Sequence, residues 1–193
     1  MRNMFLIGLG LVALAGCKKD QPSPAADSAA MTPPPAADTT AMSPALDDPT
    51  IVSIFDAANT FDIEASQLAL EKSQNADVRK LAQQFVNDHT TVRQQGRDLA
   101  AKLGVTPPTL GDGPLSQGHA AAMANLRTLS GAEFDKAYVA NEVTYHATVI
   151  QAIQNDLMPA IQNAELRALV EKVAPAFQAH HDAAQALQAK LGN

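Results

Sequence analysis

The chain has 193 residues, 14 of them basic and 20 acidic, for a net charge of −6; it has 4% aromatic residues, one cysteine and no tryptophan. A net acidic chain argues against nucleic acid as a partner, because phosphate binding needs a basic patch, and against docking on anionic lipid by charge. One cysteine excludes an internal disulfide, and the abundance of Ala and Gln is that of helices rather than of a sandwich or barrel.

The first element is a leader. Arg2 precedes a short apolar run, Met4 to Ala15, which ends in Leu14-Ala15-Gly16-Cys17. A basic start, a brief apolar segment and small residues at a cleavage point describe a secretory signal, and the run is too short to span a bilayer, which takes ~20 residues. Cysteine directly after Leu-Ala-Gly resembles the lipobox of bacterial lipoproteins, which implies removal of residues 1–16 and lipidation of Cys17. Cleavage removes Arg2 and leaves 13 basic against 20 acidic residues, a charge of −7. The membrane is then a partner through the acyl chains, more than one of which is needed for stable anchoring. Lys18 follows the cysteine where Asp would resemble an inner-membrane retention signal. The expected location is therefore the bacterial cell envelope, on the outer membrane and facing the periplasm. Residues 17–49 read as the lipidated cysteine and a disordered tether, rich in Pro and Ala and almost without large apolar side chains. Such a segment cannot bury enough surface to offset its ordering entropy. Fully extended, it reaches on the order of 100 Å.

From residue 50 to 193 the pattern predicts an all-α domain. Helix one is expected from Pro49 to Ser73 and helix two from the Asn75 or Asp77 cap to Leu103, with Gly104 as its stop. A loop through Pro107, Pro108, Gly111 and Gly113 leads to a shorter helical piece over 115–128. Ser130-Gly131-Ala132-Glu133 reads as a capping box that opens helix three, which runs to Leu157. Pro159 and Asn163 mark a turn, and helix four runs to Leu191 with Pro175 inside it, where a kink is expected. Two short joins and one long, partly helical crossover between helices two and three give a ferritin-like four-helix bundle.

Three helices place one histidine each on an apolar seam with steps of three and four residues. These are His89 in the seam Val78 to Leu103, His146 in Val139 to Leu157, and His180 in Leu166 to Leu191. In helix one a seam through Ala57, Phe61 and Leu68 puts Glu64 in that role, although a seam through Ala65 is equally regular. At ~1.5 Å per residue all four fall near mid-bundle, within about two turns of one another. Glu142, one turn before His146, adds a fifth candidate. Asp88 points about 100° from His89 and suits a flanking role. His181 is expected to face solvent, and His119 lies in the crossover.

Two readings follow. In one, Glu64, His89, Glu142, His146 and His180 hold a transition metal such as Zn, Fe or Cu. In the other they form a buried polar layer that fixes helix register, and the bundle is a structural, stress-related or protein-interaction module; an interaction module would carry an exposed apolar patch on the bundle surface or in the crossover around Ala120 to Leu126. The di-iron Glu-x-x-His pattern is absent, since Val86, Val143 and Phe177 precede the three histidines by three. That tips the sequence toward the polar layer. No nucleophile elbow or phosphate loop occurs, and no catalytic residue is assigned.

Asn87-Asp88-His89, the stretch Ser130-Gly131-Ala132-Glu133-Phe134-Asp135-Lys136-Ala137-Tyr138 with His146 eight residues on, Pro175 before His180, and Glu64 together resemble a domain-of-unknown-function family numbered 4142, over roughly residues 52–190. The family is often labelled an outer-membrane protein. The resemblance implies a ferritin-like helical bundle and an exported location, and no established chemistry. The family usually has Leu where Ala174 precedes the proline here, which removes one packing contact and leaves the histidine unaffected.

Overall fold

The computed structural model describes residues 46–192. The leader, Cys17 and the tether up to residue 45 lie outside the described residues. The described chain is helical. Helix α1 spans Asp48–Lys72, α2 Ala76–Leu103, α3 Pro114–Thr128 and α4 Gly131–Ala152. A π-helical turn, Ile153–Leu157, continues α4 into the short α5, Met158–Ala160, and α6 spans Ala164–Gly192. Among the described residues no helix is long and apolar enough to cross a membrane.

The ends follow their local chemistry. The Asp47 carboxylate accepts the Thr50 N–H at 2.9 Å and caps α1. Asn75 Oδ1 accepts from Asp77 and Val78 and opens α2, as its side chain predicts. Gly104 ends α2 at φ 65°, with Val105 N–H bonded back to the Ala100 carbonyl, the left-handed stop that glycine takes without strain. The capping box expected at Ser130 does not form: the hydroxyl makes no cap bond. Gly131 sits at φ 55°, and this left-handed residue directly after the cap replaces the backbone course that a capping box requires. Pro159 does not break the chain early, because helix continues to Ala160; the turn comes at 161–163. There Asn163 caps α6 through the N–H groups of Glu165 and Leu166. Asp48, from the far end of the chain, accepts from Gln162 and Asn163 at 2.9 and 2.8 Å.

Helices α1 and α2 form one hairpin, and α4 with α6 forms the other. Contacts of α1 with α4 and of α2 with α6 close the four-helix ring, and α3 crosses outside it against α1 and α4. Inside the ring the apolar core is divided. One cluster, around Phe85, Phe134, Tyr138 and Leu126, fills the end near the α1–α2 turn. Another, around Ile51, Phe55, Val170 and Phe177, fills the opposite end. Between them lies a buried polar layer of Asn59, Asp62, Ser66, His89, Glu142, His146 and His180, each at most 3% exposed. The mid-helix heights read from the sequence produce this arrangement. Beside the layer, Gly96 lets α1 and α2 close: a Cβ there would stand 2.8 Å from the Phe55 ring.

The apolar patch that an interaction module would present near Ala120 to Leu126 is not there. Met123 and Leu126 are buried, and Leu46 is the one large apolar side chain exposed among the described residues.

Candidate metal centre

His89, His146 and His180 converge. Each offers one ring nitrogen, and the three nitrogens lie within 4.8 Å of one another. Glu142 joins them from α4, with its carboxylate 3.6 Å from His146 Nδ1. Glu64 does not join. Its carboxylate is half exposed and pairs with His119 Nε2 at 2.8 Å, and the His119 ring stacks on Phe61 at 4.1 Å. Two residues along a helix are about 200° apart around its axis, so the inward position belongs to Asp62. Its Oδ2 is 3.3 Å from His89 Nε2 and 3.4 Å from His146 Nε2. Phe61 and Leu68 suggest a core seam because α1 has a second packed face, the one that meets α3; Lys72 on that face donates to the Leu126 and Arg127 carbonyls.

The hydrogen bonds around the rings set their tautomers. The Asn59 amide donates to the Phe55 carbonyl at 2.7 Å, so its oxygen faces His89 Nδ1, at 2.9 Å, and Nδ1 carries the hydrogen. His146 Nδ1 donates to the backbone carbonyl of Glu142 at 3.0 Å. His180 Nε2 meets the Asp88 carboxylate at 2.9 Å and donates to it. The remaining nitrogens, His89 Nε2, His146 Nε2 and His180 Nδ1, turn their lone pairs inward. His89 Nε2 and His180 Nδ1 are 3.1 Å apart, so a cation, either a shared proton or a metal ion, is needed to join them. Asp62 Oδ2, Glu142 Oε2 and His146 Nε2 are buried and take no hydrogen bond among the described residues.

Burial dominates the electrostatics. It pushes Asp62 up to about 8, against weaker opposing effects of the neighbouring Glu142 carboxyl and the Ser66 hydroxyl. It also raises Glu142 well above the carboxylate range, with the Asp62 charge adding to the effect. Burial holds His89 far below the usual imidazole value, and the repulsion a second positive charge would meet from His146 and His180 works the same way. It lowers His146 to about 3, although the Glu142 carbonyl works the other way. Without a bound cation His89 and His146 are thus neutral imidazoles beside protonated Asp62 and Glu142. Tyr138 extends it, with its hydroxyl 2.9 Å from Ser66 Oγ.

These donors fit a metal ion. Imidazole with carboxylate suits Zn, Cu, Ni or Fe, and ligating histidines give their other N–H to a carboxylate, carbonyl or similar acceptor, as all three do here. A tetrahedral ion with bonds of about 2.0–2.1 Å has ligand–ligand edges of about 3.3 Å; His89 Nε2–His180 Nδ1 at 3.1 Å and Asp62 Oδ2 at 3.3 and 3.4 Å from His89 and His146 are three such edges, and the three histidine nitrogens lie within 4.8 Å of one another. Asp88 flanks the cluster as its angle on α2 predicts. His181 is more covered than expected, its side chain 16% exposed and 3.5 Å from Asp182. Asp62 and Asn59 were not legible as site residues, although with Phe55, Ser66 and Ala69 they step along α1 by three and four.

The family model described as domain of unknown function DUF4142 matches residues 31–187, and the chain belongs to that family. Among curated proteins, none matches. Two solved structures are similar in fold. One is described as CopM in the Cu(II)-bound form, with 14% identity over 75% of this chain and 98% of its own, at a TM-score of 0.58. The other is a DUF305 protein of Streptomyces coelicolor, with 15% identity over 74% of this chain and 91% of its own, at a TM-score of 0.63.

Proposed function

We propose that this DUF4142 protein binds one divalent transition-metal ion between its two apolar cores, through His89 Nε2, His146 Nε2, His180 Nδ1 and Asp62 Oδ2. Glu142 lies beside them as a further carboxylate and a charge partner. The observation that carries the reading is the common aim of three imidazole lone pairs whose other nitrogens are all committed outward. A carboxylate oxygen lacking any hydrogen-bond donor completes the set. Copper is the first metal to try, because Cu(II) stands highest in affinity among first-row divalent ions at nitrogen and oxygen sites. The fold likeness to a protein described in a Cu(II)-bound form supports the same choice.

The test is metal content by elemental mass spectrometry after exposure to Cu, Zn, Fe, Mn and Ni. About one ion per chain is expected in the wild type and in Glu64→Gln. His89→Ala, His146→Ala and His180→Ala should each lose it. Binding that survives all three histidine changes would return the layer to a purely structural role.

We also propose that this bundle sits in the bacterial envelope, lipid-anchored through Cys17 and facing the periplasm from the outer membrane. The Leu14-Ala15-Gly16-Cys17 run and the Pro-rich stretch after it support that placement. Cys17→Ala should move the protein from the membrane to the soluble fraction of cells; an unchanged membrane association would remove the anchor from the proposal.

A further inference from the structure

We propose a second binding site, for a small organic carboxylate with an apolar body, in the groove between α1, α2 and the loop that follows α2. This groove has a volume of about 550 Å³, within the ordinary range of small-molecule pockets, and shares no residue with the histidine cluster. Three charged side chains line it, Asp56 from α1 and Arg93 and Arg97 from α2.

Both guanidinium groups close on the one carboxylate. Arg93 reaches Asp56 through Nε at 3.0 Å and Nη2 at 3.3 Å; Arg97 does so at 2.6 and 3.3 Å. Burial works to raise Asp56, but the hydrogen bonds from Arg97 and Arg93 outweigh it and hold its pKa below the ordinary value. The carboxylate is therefore ionised and already engaged four times. Two cations on one anion leave a net positive charge, in a chain whose overall charge is −6. A guanidinium has five N–H donors, and neither arginine bonds another group among the described residues. The free donors of two neighbouring forks match a second carboxylate.

Arg97 is 52% exposed along its side chain and Arg93 28%, so both guanidinium groups stay open to the groove while they hold Asp56. The rest of the groove gives the ligand its other half. Phe55, Ala100, Val105, Pro107 and Leu110 form an apolar wall beside the charges. The Ser53 hydroxyl holds the loop in place through the Pro108 carbonyl at 2.6 Å.

The test is titration of the purified protein with benzoate and hexanoate, against benzamide and inorganic phosphate, by calorimetry and by NMR shifts of groove residues. Saturable binding of benzoate or hexanoate is expected, at least tenfold tighter than benzamide or phosphate. Arg93→Gln and Arg97→Gln should each weaken it about tenfold. Asp56→Asn is the decisive variant: it withdraws the competing anion and should tighten binding several-fold, which a merely structural ion pair would not do. Unfolding curves confirm that each variant is folded. Absence of saturable binding, benzamide binding as well as benzoate, or Asp56→Asn leaving affinity unchanged or weaker would overturn the proposal. Phosphate binding as tightly as benzoate would overturn the apolar half of the assignment.

Discussion

Cu(II) or Zn(II) at about a hundred times its dissociation constant should raise the melting temperature of the protein by roughly 10 °C, and should leave His146→Ala unmoved. The size follows from mass action. Binding to the folded state alone at that excess contributes about 2.7 kcal/mol, and a domain near 150 residues shifts by roughly 4 °C per kcal/mol. The unfolded chain cannot compete well, because the four proposed ligands come from four different helices and no two of them are near in sequence. His146 is fully buried, so its replacement also opens a cavity and lowers the starting temperature. Asp88→Asn keeps the core intact and serves as the gentler variant. It removes the carboxylate that accepts from His180 Nε2, and loss of such an orienting partner typically weakens binding 10–100-fold. A melting temperature that rises equally in the wild type and in both variants would place the ion elsewhere on the acidic surface.

Much of this centre is legible in the sequence, and the part that is not has a physical reason. A heptad pattern reports the face that an apolar residue turns inward, so His89 and His180 stand out where an otherwise regular seam is interrupted. His146 does so too, although its seam runs through Tyr138, Glu142 and Val149 rather than through Val143 and Ile150, which are only partly buried. Helix α1 defeats the method. Its inward line through the centre is Asn59, Asp62 and Ser66, three polar residues in succession that read as a solvated face. Its line toward α3 holds Phe61 and Leu68, which read as core. Periodicity cannot tell a helix with one buried face from a helix with two. The crossover helix that covers the second face has just two buried residues, Met123 and Leu126, and leaves little pattern of its own. The bundle was readable because its helix ends are set locally, at Asn75, Gly104 and Asn163. The carboxylate at its centre was not, because only the packing of α3 decides which side of α1 faces inward.

The same buried carboxylates predict that the metal-free protein loses stability as pH rises above 6.5 and that the metal-loaded protein does not. In the metal-free fold Asp62 titrates near 8 and Glu142 is raised as well, whereas in the unfolded chain both release their protons near 4. The folded state therefore holds protons that the unfolded state does not, and stability falls as pH rises from about 4 toward 8. The histidines act with the opposite sign. His89 and His146 stay neutral in the fold, His146 down to about 3, while the unfolded chain takes up protons below about 6.5; stability is lost as pH falls from there toward 3. Between about 4 and 6.5 the two effects oppose each other. Above 6.5 the carboxyls act alone, and Asp62 by itself should cost the metal-free protein on the order of 2 kcal/mol between pH 6.5 and 8. A divalent ion cancels this, because it displaces the protons held by the carboxyl pair and leaves the folded and unfolded chains equally deprotonated there above pH 6.5. Its affinity should then rise about ten- to a hundredfold per pH unit below 8, for one or two protons released, and the loaded protein should show no loss of stability between pH 6.5 and 8. Urea unfolding at pH 6.5 and pH 8, with and without metal, measures the decline and its loss. Asp62→Asn tests the cause: an amide has no proton to lose, so the metal-free decline above pH 6.5 should flatten while metal affinity drops. A decline that persists unchanged in Asp62→Asn would move the titrating group away from this site.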